Sequence, residues 1–228
     1  MRLVDALRAF NRREGQILYE WAYGERTLGH RFITEVSTHL ARRGSGGSAI
    51  PSNAYVAVDY PFDWLVGALA VVHGGVGDLE DGIGEPFDDL VEGSRLDIDL
   101  LIAFPNGDGE HLILGDVKGF TAWSHSQLER KARRAAEIFG EDGRRWPGAV
   151  AHWLLIASSG TAPNIDTEGW PSWIGDHLDP LQLRIPKVER LRLQRFNPDS
   201  GEPDGGSKQR RVVSDWPWDQ DPRSTLLS

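Results

Sequence analysis

The sequence predicts an α/β fold, a mixed central sheet flanked by helices, and three segments carry that prediction. Two strand-like runs, Leu96 to Phe104 and His111 to Lys118, enclose the turn formers Pro105, Asn106, Gly107, Asp108, Gly109 and Glu110, which reads as a hairpin. A helix with one apolar face follows from Ser126 to Phe139. Ala149 to Ala157 is then a near-continuous apolar run, short enough for a strand buried on both faces.

The elements follow in chain order. Leu3, Leu7 and Phe10, then Ile17, Leu18 and Trp21, have helical spacing, with Gly15 as a break. A second helix is expected from Thr27 as N-cap to Arg43, because Leu28, Phe32, Val36 and Leu40 recur every four residues and Gly44 stands just past the end. Gly44 to Ser48 is a glycine- and serine-rich linker. Tyr55 to Val72 is apolar without a period that selects helix or strand. Gly74 to Gly93 holds Asp78, Glu80, Asp81, Glu85, Asp88, Asp89 and Glu92 with no Lys or Arg, and reads as an exposed acidic loop. Its uniform charge suggests that it could occupy a basic groove when substrate is absent. After the hairpin, Ser126 and Glu129 form a capping-box pattern, Leu128, Ala132, Ala135 and Phe139 make the apolar stripe, and Gly140 stops the helix. Leu181 to Ile185 and Arg190 to Phe196 alternate as late strands, Asn197 to Ser207 is a loop, and residues 215–228 are a tail. Residues 1–214 are thus expected to form one domain.

Composition narrows the chemistry. The chain of 228 residues has no cysteine, so disulfides, thiolate zinc sites, iron–sulfur clusters and thiol nucleophiles are excluded. No apolar run is long enough to span a bilayer and no signal-peptide pattern opens the chain, so a cytoplasmic protein without a membrane partner is expected. The formal charge is -9. The acidic segment supplies most of it and the remainder is near neutral, which leaves room for a local basic groove. The seven histidines are scattered, and none forms a His-Glu-x-x-His pair. Nucleophile elbows, phosphate-binding Walker loops and dinucleotide fingerprints are absent as well.

The hairpin concentrates the chemistry. Alternation places Asp116 and Lys118 on one side of the second strand, and Asp97 and Asp99 on one side of the first. With a turn centred near residues 107 and 108, antiparallel partners have numbers summing to about 215. Asp99 then faces Asp116, and Asp97 faces Lys118. Paired carboxylates are ligands for Mg²⁺, which lowers the pKa of a bound water and stabilises charge on a reacting phosphate. A neighbouring lysine can orient or deprotonate that water and neutralise the phosphate.

Leu96-Asp97-Ile98-Asp99-Leu100-Leu101-Ile102, followed by Leu112-Ile113-Leu114-Gly115-Asp116-Val117-Lys118, resembles the core hairpin of the PD-(D/E)xK nucleases. That superfamily includes restriction enzymes, Holliday-junction resolvases and RecB-like exonucleases. The resemblance covers residues 96–140 most closely. It implies a restriction-endonuclease-like fold and Mg²⁺-dependent hydrolysis of phosphodiesters, with Mn²⁺ as a substitute ion. DNA is the implied substrate and RNA a further candidate. The implied setting is endonuclease action in restriction, phage defence or repair, with a homodimer as the assembly. The family position before an apolar triplet favours Asp99 over Asp97. By the same resemblance Asp99, Asp116 and Glu35 hold the metal, Lys118 is catalytic, and Gln127, at the start of the following helix, completes the site.

Simpler roles stand beside these. Asp99, Asp116 and Lys118 also suit a surface hairpin with a cross-strand ion pair. Glu35 lies at the edge of an amphipathic stripe, where charges are common. Arg130, Arg133 and Arg134, with Lys131, suit either a solvated helix face or contacts to a nucleic-acid backbone. Trp170, Trp173, Trp216 and Trp218 suit packing of irregular segments better than base stacking. The competing function is a non-catalytic nucleic-acid- or protein-binding module on the same fold.

Overall fold

A computed structural model describes residues 1–11, 13–23, 27–44, 49–73, 90–91, 93, 96–107, 109–118, 123–157, 165–183, 190–195, 200 and 210–215. The chain divides into two compact units, Met1–Arg184 and Ile185–Ser228. The first unit contains helices α1 (Leu3–Phe10), α2 (Glu14–Tyr23) and α3 (His30–Arg42), strand β1 (Tyr55–Pro61) and helix α4 (Phe62–His73). Strands β2 (Asp97–Asn106) and β3 (Gly109–Lys118), helix α5 (His125–Phe139), strand β4 (Ala149–Ala157), the short α6 (Ser172–Gly175) and β5 (Leu181–Gln182) follow. In the second unit β6 (Arg190–Arg195) pairs antiparallel with β7 (Arg210–Asp215). The acidic segment is almost entirely outside the described residues, as are Trp216 and Trp218.

The sheet of the first unit runs β1-β2-β3-β4-β5. β1, β2 and β3 are successively antiparallel, whereas β4 lies parallel to β3 and β5 parallel to β4. Parallel neighbours need a crossover, and α5 supplies it between β3 and β4. Because both faces of β4 are covered, its apolar run is buried along nearly its whole length.

The β2–β3 register matches the turn-centred expectation, from Asn106↔Gly109 to Leu100↔Gly115. Both strands run closer to the turn than expected, so the connection is tighter than the six residues of turn formers suggested. Gly107 takes φ +59, a left-handed conformation open to glycine. Pro105 is tolerated inside β2 because pairing with β1 ends at Ala103, and the missing N–H has no partner strand on that side.

Each sheet face buries a different set. On one, Leu101, Ala103, Leu112, Leu114, Trp153 and Leu155 pack against α1, α4 and α5. On the other, Ile102, Phe104, Ile113, Leu154 and Ile156 meet Val36 and Leu40 of α3. A single buried leucine in such a layer contributes about 2 kcal/mol.

Three helix ends differ from expectation. α3 starts at His30 with Gly29 as N-cap, leaving Thr27 outside. The N-cap of α5 is Ser124, and its hydroxyl lies 3.0 Å from that of Ser126 with no side-chain cap bond made. Ser126 and Glu129 therefore do not form the capping box; Glu129 instead meets His125 and Arg133 along the helix face. The early break lies between α1 and α2, with Gly15 inside α2. Trp173 packs edge-on against Phe139 and donates to the Gly140 carbonyl, a structural role as expected.

Candidate functional site

The two arms of the hairpin part company at one rung. The last pair between β2 and β3 is Leu100↔Gly115. Beyond it β2 stays with β1 as far as Asp97↔Pro61, and β3 stays with β4 as far as Lys118↔Ala157. The sheet forks there, and backbone groups that lose a ladder partner must find another. The Val117 N–H does so by donating to Asp99 Oδ2 at 2.9 Å. A carboxylate at position 99 thus closes the mouth of the fork. Gly115 permits the close approach, since a Cβ there would lie 3.1 Å from the Leu100 carbonyl oxygen.

Strand alternation turns Asp99, Asp116 and Lys118 to the face that α5 covers. From α5, Lys131 reaches into the fork. Its Nζ lies 2.6 Å from Asp99 Oδ1 and 3.3 Å from Asp116 Oδ2. Lys118 Nζ lies 3.5 Å from Asp116 Oδ1 and donates to Gln127 Oε1 at 3.3 Å. Two carboxylates, two ammoniums and one amide oxygen therefore converge. The site grades outward: Asp116 is 1 % exposed, the Lys118 side chain 14 % and the Asp99 side chain 25 %.

The two carboxylates are electrostatically unequal. Burial pushes the Asp116 carboxyl above its ordinary value and the Asp99 charge adds to that, against the opposing ammoniums of Lys131 and Lys118. Burial also pushes Asp99 up, but the Lys131 ammonium and the Val117 N–H together outweigh it and hold Asp99 low. Both Asp116 oxygens are buried without a hydrogen bond. Ion pairing at 3.3 and 3.5 Å is their compensation, which leaves unused acceptor capacity at the base of the fork.

Those orphaned oxygens suit a hard cation, and Mg²⁺ is commonly held by one or two carboxylates with water completing its shell. Asp99 and Asp116 would be the protein ligands. Among the described residues no cluster of three or more His, Asp or Glu is placed to hold a metal.

The structure gathers Asp99, Asp116, Lys118 and Gln127 and leaves the other expected site residues elsewhere. Glu35 is on α3, whose buried side chains pack on the opposite face of the sheet, and it accepts from Arg31 at 2.8 Å. Asp97 does not meet Lys118; it accepts from Arg13 at 2.8 Å. Arg134 is buried, paired to Asp63 at 2.9 Å and Glu137 at 3.3 Å, and donates to the Leu90 carbonyl, so it presents no surface to a nucleic-acid backbone. Arg130 and Arg133 are exposed, with Arg133 beside Glu129.

Lys131 is the residue the sequence reading missed. It was grouped with the neighbouring arginines as a surface cation, yet it is 3 % exposed. Helical spacing held the signal: Lys131 follows Gln127 by four residues and Leu128 by three, on the flank of the apolar stripe. A groove of about 500 Å³ borders the helix elsewhere, between Glu129, Arg133 and Glu137 of α5 and the Glu168–Pro171 segment, and none of the gathered residues lines it. No described helix is long and apolar enough to cross a membrane. Comparison of the chain with protein-family models, curated proteins and solved structures gives no match.

Proposed function

We propose that the chain is a divalent-cation-dependent phosphodiesterase acting on nucleic acid, with DNA as substrate, on a restriction-endonuclease-like fold. The observation that carries the reading is the fork itself. Two carboxylates from adjacent strands meet there, one with both oxygens buried and free of hydrogen bonds, and a lysine stands two residues along the strand toward solvent. The order of strands supports it too, with an antiparallel hairpin followed by a helix and a strand parallel to the hairpin's second arm.

Asp99 and Asp116 would hold Mg²⁺, which when bound supplies a water of lowered pKa and charge stabilisation at the phosphate. Lys118 is placed to neutralise a phosphate oxygen and orient the attacking water, because its ammonium stands beside Asp116 on a side chain that keeps some exposure. Gln127 steadies that ammonium through its amide oxygen. Arg130 and Arg133, exposed on α5, are the candidates for contact with the phosphate backbone. Endonuclease action and a homodimer with one site per strand follow from the resemblance of the hairpin.

One observation favours a second reading. Lys131 bridges the two carboxylates and together with Lys118 balances their charge, as a purely structural ion cluster would require. The same fold would then serve as a binding module without a metal. Cleavage of plasmid and linear DNA with Mg²⁺ or Mn²⁺ separates the two. The nuclease reading expects metal-dependent cutting that disappears in Asp116→Ala and Lys118→Ala. Absence of cutting on duplex DNA, single-stranded DNA and RNA favours the binding module.

A further inference from the structure

We infer that Lys131 is an internal counter-ion seated where a divalent cation would sit between Asp99 and Asp116, and that it must withdraw for the ion to enter; the inference rests on the metal-site reading above. Its ammonium contacts one oxygen of each carboxylate, at 2.6 and 3.3 Å. A cation held by both carboxylates needs the space around that same point.

The two contacts are not equally secure. Toward Asp99 the ammonium makes a short hydrogen bond, but Asp99 keeps the Val117 N–H as a second donor if the lysine leaves. Toward Asp116 it makes an ion pair without a hydrogen bond, since both Asp116 oxygens lack one. Withdrawal therefore costs Asp99 one short charge-assisted hydrogen bond, with the Val117 N–H kept on its other oxygen, and costs Asp116 none. Incoming cation–oxygen bonds would replace what is lost.

Charge and side-chain chemistry agree. Asp99, Asp116, Lys118 and Lys131 sum to zero formal charge, so a dication entering with Lys131 in place adds two charges to a neutral, largely buried cluster. An ammonium on a flexible four-carbon stem can move aside, which a guanidinium held in a planar fork does less readily. Helical side chains lean toward the N-terminus, so Lys131 points along the flank where Gln127 lies one turn earlier. The Gln127 amide oxygen faces this site and already accepts from Lys118.

The test is Mn²⁺ binding to the full chain without nucleic acid, followed by electron paramagnetic resonance, for wild type, Lys131→Met and Lys131→Met/Asp116→Asn. Removal of the competing charge is expected to tighten Mn²⁺ binding about tenfold or more in the single variant, and the added Asp116→Asn to abolish the gain. A folded Lys131→Met chain that binds Mn²⁺ no better than a Mn²⁺-binding wild type overturns the inference and leaves the metal site standing. No Mn²⁺ bound by any of the three overturns the inference, and the same outcome with a phosphorothioate duplex present overturns the metal-site reading as well. A measurement on wild type guards against a variant that does not fold. Amine acetylation of Lys131, read by peptide mass spectrometry, should rise as Mn²⁺ saturates; equal protection with and without bound Mn²⁺ overturns displacement.

Discussion

Two buried cations stand one turn apart on α5, and they are held in opposite ways. Arg134 meets Asp63, Glu137 and the Leu90 carbonyl, with its fork of donors spread over three acceptors. Lys131 meets two carboxylates, and one of those has no hydrogen bond to either oxygen. The first arrangement ties α5 to α4 and to the segment before β2. The second leaves buried acceptor capacity at the fork of the sheet, beside the half-buried Lys118. Burial of charge is costly in both places. Of the two clusters, only the fork holds a carboxylate with both oxygens buried and lacking a hydrogen bond, whereas Asp63 and Glu137 accept from Arg134.

The largest expected effect lies at the fork. Lys118→Ala should lower metal-dependent cleavage by about 100-fold or more, the scale of losing a positioned proton-handling group, with the melting temperature little changed. Retained cleavage in that variant would place the chemistry elsewhere.

Arg134→Met should show the contrast in stability. Leaving Asp63 buried beside a missing cation is expected to cost about 3 kcal/mol, read by urea denaturation. Added Mn²⁺ should not restore the loss, because Asp63 would be left there without a second buried carboxylate beside it, the Glu137 side chain being 41 % exposed. Restoration by Mn²⁺ would erase the distinction drawn between the two cations.

A pH effect of similar size is expected away from both clusters. His152 on β4 lies 2.8 Å from His111 on β3, and burial, with His111, His177 and Arg144 nearby, lowers its pKa to about 4. In the unfolded chain it would titrate near the ordinary value of about 6.5. Between those values the unfolded chain takes up the proton and the folded chain does not. Stability is therefore whole above pH ~6.5, declines as pH falls toward ~4 and levels off below, a loss on the order of 3 kcal/mol. His111 and His177, also lowered by burial, act in the same direction. Urea midpoints at pH 7 and pH 5 for wild type and His152→Gln check this, with the variant expected to flatten the slope. An equal slope in both would assign the acid sensitivity to other groups.

The smallest effect is assigned to Glu35. Its partner Arg31 is exposed, so Glu35→Gln should cost less than about 1 kcal/mol. Cleavage should be unaltered, since α3 covers the opposite face from the fork. A strong loss of activity would bring Glu35 back to the site.

What the sequence made legible was local in origin. The β2–β3 register followed from the turn, and with it the meeting of Asp99 and Asp116, because alternation and antiparallel pairing are arithmetic once the turn is located. β4 was readable because a strand covered on both faces must be apolar throughout. Residues 55–72 resisted assignment for a physical reason. β1 passes into α4 at Pro61–Phe62 with no intervening turn residues, and α4 is buried around most of its circumference, so neither period shows. The separation of Glu35 from the fork was not legible, because a helical wheel gives the apolar stripe of α3 but not the sheet face it covers. Lys131 was hidden by its neighbours: within Arg130-Lys131-Ala132-Arg133-Arg134 the charges look alike, and only packing separates the exposed arginines from the buried pair. The His111–His152 contact needs the parallel β3–β4 register, which no short-range pattern encodes.

The most direct test of the central claim, that the fork is an ion site and not a structural ion cluster, is equilibrium dialysis of Mn²⁺ against wild type and Asp99→Asn/Asp116→Asn. A short phosphorothioate duplex present in both chambers would supply the phosphate. One Mn²⁺ is expected per wild-type chain beyond what the duplex itself binds, and none in the double variant. Equal Mn²⁺ on both proteins, or no excess on wild type, would contradict it.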